Sequence, residues 1–184
     1  MCNPALWYAA ATLAVGAYSA NAQRQMGKYN AAVQRNNALA QKYQAEAQAD
    51  RLNTEADSVM KTGWAAEREQ RIETARKMGA QRAAFAGSGV ELSGTPSGVI
   101  ADTKAEGERD ALTIRANAAR EAWGLQTQAQ DTLYRGSTAY SSGLAQAEGT
   151  EAGAKFGATS TLLGSATQAY GGYQQMKALE SKGG

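Results

Sequence analysis

Two long proline-free tracts, separated by one short stretch rich in glycine and serine, constrain this chain more than any other feature. The tracts cover residues 24–86 and 97–176, and the two prolines of the chain lie at positions 4 and 96. Alanine, glutamine, glutamate, arginine and lysine are frequent in both tracts, and all of them are strong helix formers. The sequence therefore predicts an all-α protein with two long helical arms and no sheet.

Large apolar side chains are scarce along the whole chain. Leu, Ile, Val and Phe together number 22, whereas alanine alone numbers 40. Such a composition supplies too little apolar surface for a single copy of the chain to form a globular core by itself. Because the formal net charge is only +2, disorder is not expected either. We therefore expect elongated helices, folded back as a hairpin or extended as arms, that pack against other copies in an oligomeric ring or tube.

The residue types that most enzymes need are missing or isolated. The chain has no histidine and one cysteine, Cys2, so the usual general base, a Cys-based zinc site and an internal disulfide are all excluded. Its 17 carboxylates lie on polar helix faces without a cleft-forming sheet. We expect no catalytic residues, no metal site and no cofactor, and hence not an enzyme.

The stretch between the arms predicts a bend at residues 87–96, with hinge residues Gly87, Gly89, Gly94 and Pro96. We expect Thr95 to cap the second helix, with Pro96 at its first position. A phosphate-binding loop is the competing interpretation of "GVELSGT" at 89–95. It fails because Thr95 stands where the essential lysine would be and because a helix, not a strand, precedes the loop.

Residues 1–23 carry no charged side chain and form a predicted N-terminal helix. This segment is close to the length of a membrane span but lean in leucine and isoleucine. Two interpretations stay open, a buried packing helix and a membrane-inserting segment. The residues that would contact a membrane are Leu6, Trp7, Tyr8, Leu13, Val15 and Tyr18.

The first charged tract, 24–86, holds eleven Lys and Arg against seven Asp and Glu. Its large apolar residues follow helical steps and predict a narrow apolar stripe. The residues of this stripe are Tyr29, Val33, Leu39, Tyr43, Met60, Trp64, Met78 and Phe85. The mixed charges are expected to be solvated, and the basic excess suggests transient, non-specific contact with DNA.

In the second arm, small residues recur every seven positions. With uncharged residues such as Leu133, Tyr140 and Ala147 interleaved, they form a heptad seam free of charge. Glycine on such a seam lets two helix backbones approach closely, so we expect copies to pack along it. The alternative is that some of these glycines mark breaks. Residues 177–184 are expected to be a flexible tail. The predicted seam residues are Ala129, Gly136, Gly143, Gly157, Gly164 and Gly171.

One stretch supports a family resemblance. Together with the Met-Cys start and the charge-free N-terminal helix, the sequence "GAQRAAFAGSGVELSGTPSGVIADTKAEGERDALTIRANAAREAWG" at 79–124 resembles the smallest internal virion protein, or ejection core protein, of short-tailed bacteriophages. The resemblance is strongest over these residues and is weakest in the glycine-rich C-terminal part.

The resemblance implies a structural protein packaged in the virion interior near the portal. It further implies that the protein leaves with the genome and oligomerises in the host envelope, at the outer membrane, as part of a DNA-translocation channel. The implied partners are other copies, the other ejection proteins, the portal and the membrane. The alternative function is a soluble helical adaptor or scaffold of the virion that never enters a membrane.

Overall fold

A computed structural model describes residues 4–180 as two long α-helices joined by a turn. Helix α1 spans Pro4–Gly87 and helix α2 spans Thr95–Glu180. No strand occurs among these residues. The all-α prediction is confirmed. The segments predicted as 1–23 and 24–86 continue into one another within α1, and the first part of the predicted tail, 177–180, belongs to α2. The rest of that tail, 181–184, lies outside the described residues.

The turn at 88–94 begins with a Schellman motif, which satisfies the last free carbonyls of α1. The Val90 N–H donates to the Phe85 carbonyl at 3.1 Å, and the Gly89 N–H donates to the Ala86 carbonyl at 3.2 Å. Gly89 has a φ of 71°, in the left-handed region that this motif requires and that glycine adopts without steric penalty. The sequence thus ends α1 by local chemistry alone.

Helix α2 is capped by Gly94 rather than by Thr95. The Gly94 carbonyl accepts the first helical hydrogen bond, from the Gly98 N–H at 3.2 Å, and also a bond from Ser97 Oγ at 2.7 Å. Gly94 has a φ of 67°, whereas Thr95 is already helical. The capping prediction is therefore wrong by one residue. The capping residue has a non-helical backbone, and that residue is Gly94, not Thr95.

The helices form two compact units, each an antiparallel pair. Unit 1 consists of residues 1–43 and 136–184, and unit 2 consists of residues 44–135. In unit 1, Gly27 faces Ala154. In unit 2, which contains the turn, Gly63 faces Ala118. Both contacts join a residue of α1 to a residue of α2.

Eleven of the twelve buried apolar residues are alanines, Ile100 being the other, and no large side chain among the described residues is fully buried. A buried methyl group contributes roughly 0.8 kcal/mol, so a line of alanines is a weak core. The predicted stripe of large apolar residues in α1 is confirmed only in part. Leu39, Met60, Met78 and Phe85 are half-buried, whereas Tyr29, Val33, Tyr43 and Trp64 are exposed. The buried alanines are Ala20, Ala31, Ala38, Ala49, Ala56, Ala111, Ala122, Ala129, Ala147, Ala158 and Ala169.

Candidate packing and interaction surfaces

The contacts between the helices of unit 1 repeat every eleven residues. Eleven residues make three turns at about 3.67 residues per turn, so a row with this spacing stays on one side of a helix. The buried alanines Ala147, Ala158 and Ala169 continue the same period along α2. The facing pairs are Gly16 with Ser165, Gly27 with Ala154, and Ala38 with Gly143.

Each of these pairs joins a glycine to a residue with a short side chain. A Cβ added at Gly143 would lie 2.5 Å from the Ala38 Cβ, and one added at Gly27 would collide with the Ala154 Cβ. Glycine is therefore required here by the close approach of the two helices. Unit 2 repeats the arrangement, since a Cβ at Gly63 would collide with the Ala118 Cβ.

In unit 1, two hydrogen bonds between glutamine and threonine are spaced by the same eleven residues. In unit 1 the Thr150 Oγ1 hydroxyl donates to Gln34 Oε1 at 3.0 Å, and the Thr161 hydroxyl donates to Gln23 Oε1 at 3.3 Å. In unit 2, Gln81 Nε2 donates to Thr103 Oγ1 at 2.9 Å. Sequence reasoning missed these pairs, although the eleven-residue spacing of Gln23 and Gln34 on α1 matches that of Thr150 and Thr161 on α2.

The predicted heptad seam lies partly inside the chain and partly on its surface. Ala129 and Gly136 are buried, and Gly157 lies 3.6 Å from Gln23 Oε1, measured from an added Cβ. Gly164 and Gly171 are exposed, with open space beside them. The predicted heptad row and the contact row diverge along α2. A row spaced by seven residues rotates around the helix by roughly 30° per repeat relative to a row spaced by eleven. Packing of copies along the seam stays a prediction.

The six residues predicted to contact a membrane are all exposed in unit 1: Leu6, Trp7, Tyr8, Leu13, Val15 and Tyr18. An uncharged groove of 480 Å³ lies beside them, lined among others by Tyr8, Val15 and Gly16 of α1 and by Gly164 and Gln168 of α2. Within residues 4–180, no stretch of helix has the combined length and apolarity that crossing a membrane requires.

Charged side chains of the two helices pair with one another. In unit 1, Glu151 accepts hydrogen bonds from Lys155 at 3.0 Å and Arg35 at 3.1 Å, and these two bonds lower the pKa of Glu151 from its ordinary value. In unit 2, Arg71 contacts Glu67 and Glu108, each at 3.0 Å. No group of three metal-ligating side chains occurs in the part of the chain that the structure describes.

The predicted hinge residues occupy both ends of the turn. Gly87 is the last residue of α1, and Pro96 is the second residue of α2. Gly89 and Gly94 carry the two positive φ angles recorded in the described chain. Backbone hydrogen bonds at Gly89 and Gly94 end α1 and begin α2, and the role of these residues as hinges stays a prediction.

Comparison with known proteins gives one family match. The model of the T7 virus internal virion protein gp14 family matches this chain over residues 1–184. No curated protein and no solved structure matches the chain significantly.

Proposed function

The chain belongs to the T7 virus internal virion protein gp14 family and is therefore a structural protein of the virion interior, and we propose that it leaves the capsid with the genome and assembles in the host envelope. There it forms part of a DNA-translocation channel as a homo-oligomer. Its further partners in this proposal are the portal and the other ejection proteins inside the virion, and the outer membrane after ejection.

The observation that carries the proposal is the exposed apolar surface of unit 1. Residues 6–23 of α1 and 156–176 of α2 contain no charged side chain, yet they expose Trp7, Val15, Phe156 and Leu163. Large apolar side chains exposed on a charge-free surface are typical of a site of association with protein or membrane. A protein that moves from a packed virion core to an envelope needs a surface suited to both.

The pairing of cations with carboxylates supports transient contact with DNA. Arg71, Arg76 and Lys77 each lie within 4.0 Å of a glutamate oxygen. A cation that is already paired with a carboxylate has little net attraction for a phosphate, so binding is weak even at low salt and falls below detection as the salt concentration rises. Electrophoretic mobility shifts should detect DNA binding at low ionic strength and none at physiological ionic strength. Binding that persists at physiological salt would contradict a conduit through which DNA slides.

The membrane step is tested by vesicle flotation and dye release with the full-length protein. Vesicles made from outer-membrane lipids should carry the protein upward in a density gradient and should leak a trapped dye. Trp7→Glu should reduce flotation roughly tenfold, because a charge at an apolar membrane surface is strongly unfavourable. The matched control is Trp123→Glu in unit 2, since Trp7 and Trp123 are both 70% exposed.

The outcomes separate the channel from the soluble scaffold. A scaffold would stay at the bottom of the gradient and leave the vesicles intact, while still being packaged in virions. Equal flotation of the Trp7→Glu and Trp123→Glu variants would show that unit 1 is not the membrane-binding part. Either result would overturn the proposed channel.

A further inference from the structure

The charge-free surface of unit 1 has a sharp border. On α1 it covers residues 6–23 and ends at Arg24, and on α2 it covers residues 156–176 and begins after Lys155. Each of the two runs is roughly 30 Å long at 1.5 Å per residue, and both expose large apolar side chains. A membrane that covers this surface therefore places its headgroups against the residues at the border.

Three cations lie at this border. Gly27 of α1 faces Ala154 of α2, so the antiparallel pairing of the helices places Lys155 level with residue 26. Arg24 and Lys28 lie just below and just above that level on α1, four residues apart and hence on one side of the helix. The pairing of the helices thus brings together three cations that are far apart in the sequence.

Arg24, Lys28, Glu151 and Lys155 line a pocket of 340 Å³, the cationic pocket. Glu151 and Lys155 are also four residues apart, so each helix contributes two neighbouring side chains. Lys155 and Arg35 bind Glu151 at 3.0 and 3.1 Å, so this carboxylate is already shared between two cations. The side chains that line the pocket carry three positive charges and one negative charge.

Arg24 and Lys28 are the cations of the pocket that lack a carboxylate. Among residues 4–180, no carboxylate oxygen lies within 4.0 Å of either side chain. In unit 2, by contrast, Arg71, Arg76 and Lys77 each have a glutamate partner. Two neighbouring cations without an anion repel each other, and a bound anion removes that repulsion. The pocket therefore has the charge of an anion-binding site.

Apolar side chains continue from the pocket along the same side of unit 1. Leu13 precedes Arg24 by eleven residues, or three helical turns, and Leu6 precedes it by eighteen residues, or five turns. On α2, Leu162 follows Lys155 by seven residues, close to two turns. Leu6 and Leu13 are exposed and Leu162 is half-buried. These three leucines form an apolar strip that begins at the cations.

The dimensions of the strip match a lipid whose headgroup lies at the pocket. Leu13 lies about 16 Å along the helix from Arg24, which is close to half the thickness of a bilayer's hydrocarbon. Arginine and lysine both bind phosphate oxygens, arginine through two parallel N–H groups and lysine as a point charge. Cations at one end and leucines along the adjoining surface together favour an amphiphile with a phosphate.

We propose that the cationic pocket binds the phosphate of an anionic phospholipid, whose acyl chains lie along Leu162 and Leu13. The inference deepens the proposed function and rests on it for contact with a membrane. The pocket then fixes how deeply unit 1 enters the membrane, because the phosphate holds Arg24 and Lys28 at the level of the headgroups.

A phosphate of DNA fits the surroundings of the pocket less well. DNA carries phosphates along its whole length, so a DNA-binding surface needs cations along the whole contact. Beyond the pocket, α1 carries no charge in residues 4–23 and α2 carries none in residues 156–176. A phospholipid needs a single phosphate site beside an apolar surface, and the border supplies that arrangement.

Vesicle binding of the full-length protein tests the site. Flotation is measured over a range of lipid concentrations with vesicles of phosphatidylcholine alone and with vesicles that also contain phosphatidylglycerol. Each Lys or Arg near an anionic membrane strengthens binding about fivefold. Arg24→Gln with Lys28→Gln should therefore weaken binding to the anionic vesicles roughly 25-fold and leave binding to the neutral vesicles unchanged.

The matched control is Arg68→Gln with Arg115→Gln in unit 2. These two arginines also line a pocket, of 380 Å³, and they too have no carboxylate within 4.0 Å among residues 4–180. The control removes the same charge outside the charge-free surface, so it should bind both kinds of vesicle as the unsubstituted protein does. Equal weakening of the two double variants would overturn the proposal.

Glu151→Gln should change binding in the opposite direction. It frees Lys155 and Arg35 from their shared carboxylate and adds one positive charge at the pocket, so binding to anionic vesicles should strengthen about fivefold. Binding to neutral vesicles should stay the same, whereas a partly unfolded variant would bind both kinds more tightly. Unchanged or weaker binding to anionic vesicles would contradict the site.

Two further measurements identify the source of the phosphate. Inorganic phosphate should compete with anionic vesicles no better than chloride at the same ionic strength, because it has no acyl chains to lie on the strip. Mobility shifts at low salt should give equal DNA binding for the two double variants. Stronger competition by inorganic phosphate, or a loss confined to DNA binding of the Arg24→Gln, Lys28→Gln variant, would overturn the proposal.

The lipid site and the channel fail separately. A protein that releases the dye and binds neutral and anionic vesicles equally has the channel function and lacks the lipid site. A protein that prefers anionic vesicles through Arg24 and Lys28 but releases no dye has the lipid site and lacks the channel. A protein that floats with neither kind of vesicle would overturn both.

Discussion

Units 1 and 2 contain the same number of residues and the same inner contact but differ in their surfaces. Of the 36 charged residues of the chain, 26 belong to unit 2 and ten to unit 1. Yet in each unit a glycine of α1 lies against an alanine of α2, Gly27 with Ala154 and Gly63 with Ala118. The comparison teaches that the pairing of the helices depends on small residues common to both units, whereas the charge of the outer faces differs between the units.

The largest expected effect comes from filling the inner contact. Gly27→Leu and Gly63→Leu should each lower the free energy of unfolding by about 3 kcal/mol, because the added side chain forces two backbones apart. Urea unfolding followed by the helical signal measures both. If the two units share one packing principle, the two losses agree, and a loss in only one unit would break the comparison. Gly79→Leu, which meets open space, is the control.

Exchanging the partners sharpens that result. Gly27→Ala alone should destabilise the chain by roughly 2 kcal/mol, and adding Ala154→Gly should restore most of the loss, because one methyl group again occupies the space between the helices. The corresponding exchange in unit 2 combines Gly63→Ala with Ala118→Gly. If the double variant of either unit loses the sum of the two single losses, the two exchanged residues of that unit do not contact each other directly.

The turn gives a smaller effect that is confined to unit 2. Gly89→Ala and Gly94→Ala place a Cβ at φ angles of 71° and 67°, which is unfavourable by about 1–2 kcal/mol. Gly98→Ala, within α2 and free of neighbours, should instead stabilise the chain by up to 1 kcal/mol. Thermal unfolding distinguishes the signs, and a stabilising Gly89→Ala would contradict the Schellman geometry.

The smallest effect is the pH response of the Glu151 ion pairs in unit 1. Hydrogen bonds from Lys155 and Arg35 lower the pKa of Glu151 below its ordinary value of 4.5. A lowered pKa stabilises the folded chain above that value, and the stabilisation disappears as the pH falls through the folded-state pKa. Glu151→Gln should thus be less stable than the unsubstituted chain at neutral pH and equal to it in acid. A difference that persists unchanged in acid would contradict this role.

Local chemistry explains what could be predicted from the sequence. The all-α class follows from residues with high helix propensity and from the absence of proline within the arms. The bend follows from glycines whose positive φ angles are local requirements, and the capping residue was misplaced only between neighbours Gly94 and Thr95. None of these features depends on what the helices pack against.

The helix partners could not be predicted, because the same small residues serve two different periods. A heptad row and an eleven-residue row coincide at Gly136 and separate toward Gly164 and Gly171. The size of the side chains was also a poor guide to the packed side of α1. Large residues such as Tyr29 suggested the packed side, whereas the points of closest approach between the helices join a glycine to a residue with a short side chain, as Gly27 does with Ala154. Only the pairing of the two helices reveals which row faces inward.

The central claim is that this chain leaves its large apolar side chains to be covered by other copies or companions. The most direct measurement is the midpoint of thermal unfolding of the helical signal over a hundredfold range of protein concentration, with the mass of the particle determined by sedimentation. We predict that the midpoint rises with concentration as oligomers form, because association stabilises the folded chain by mass action. A midpoint independent of concentration, with a stable monomer throughout, would contradict the claim.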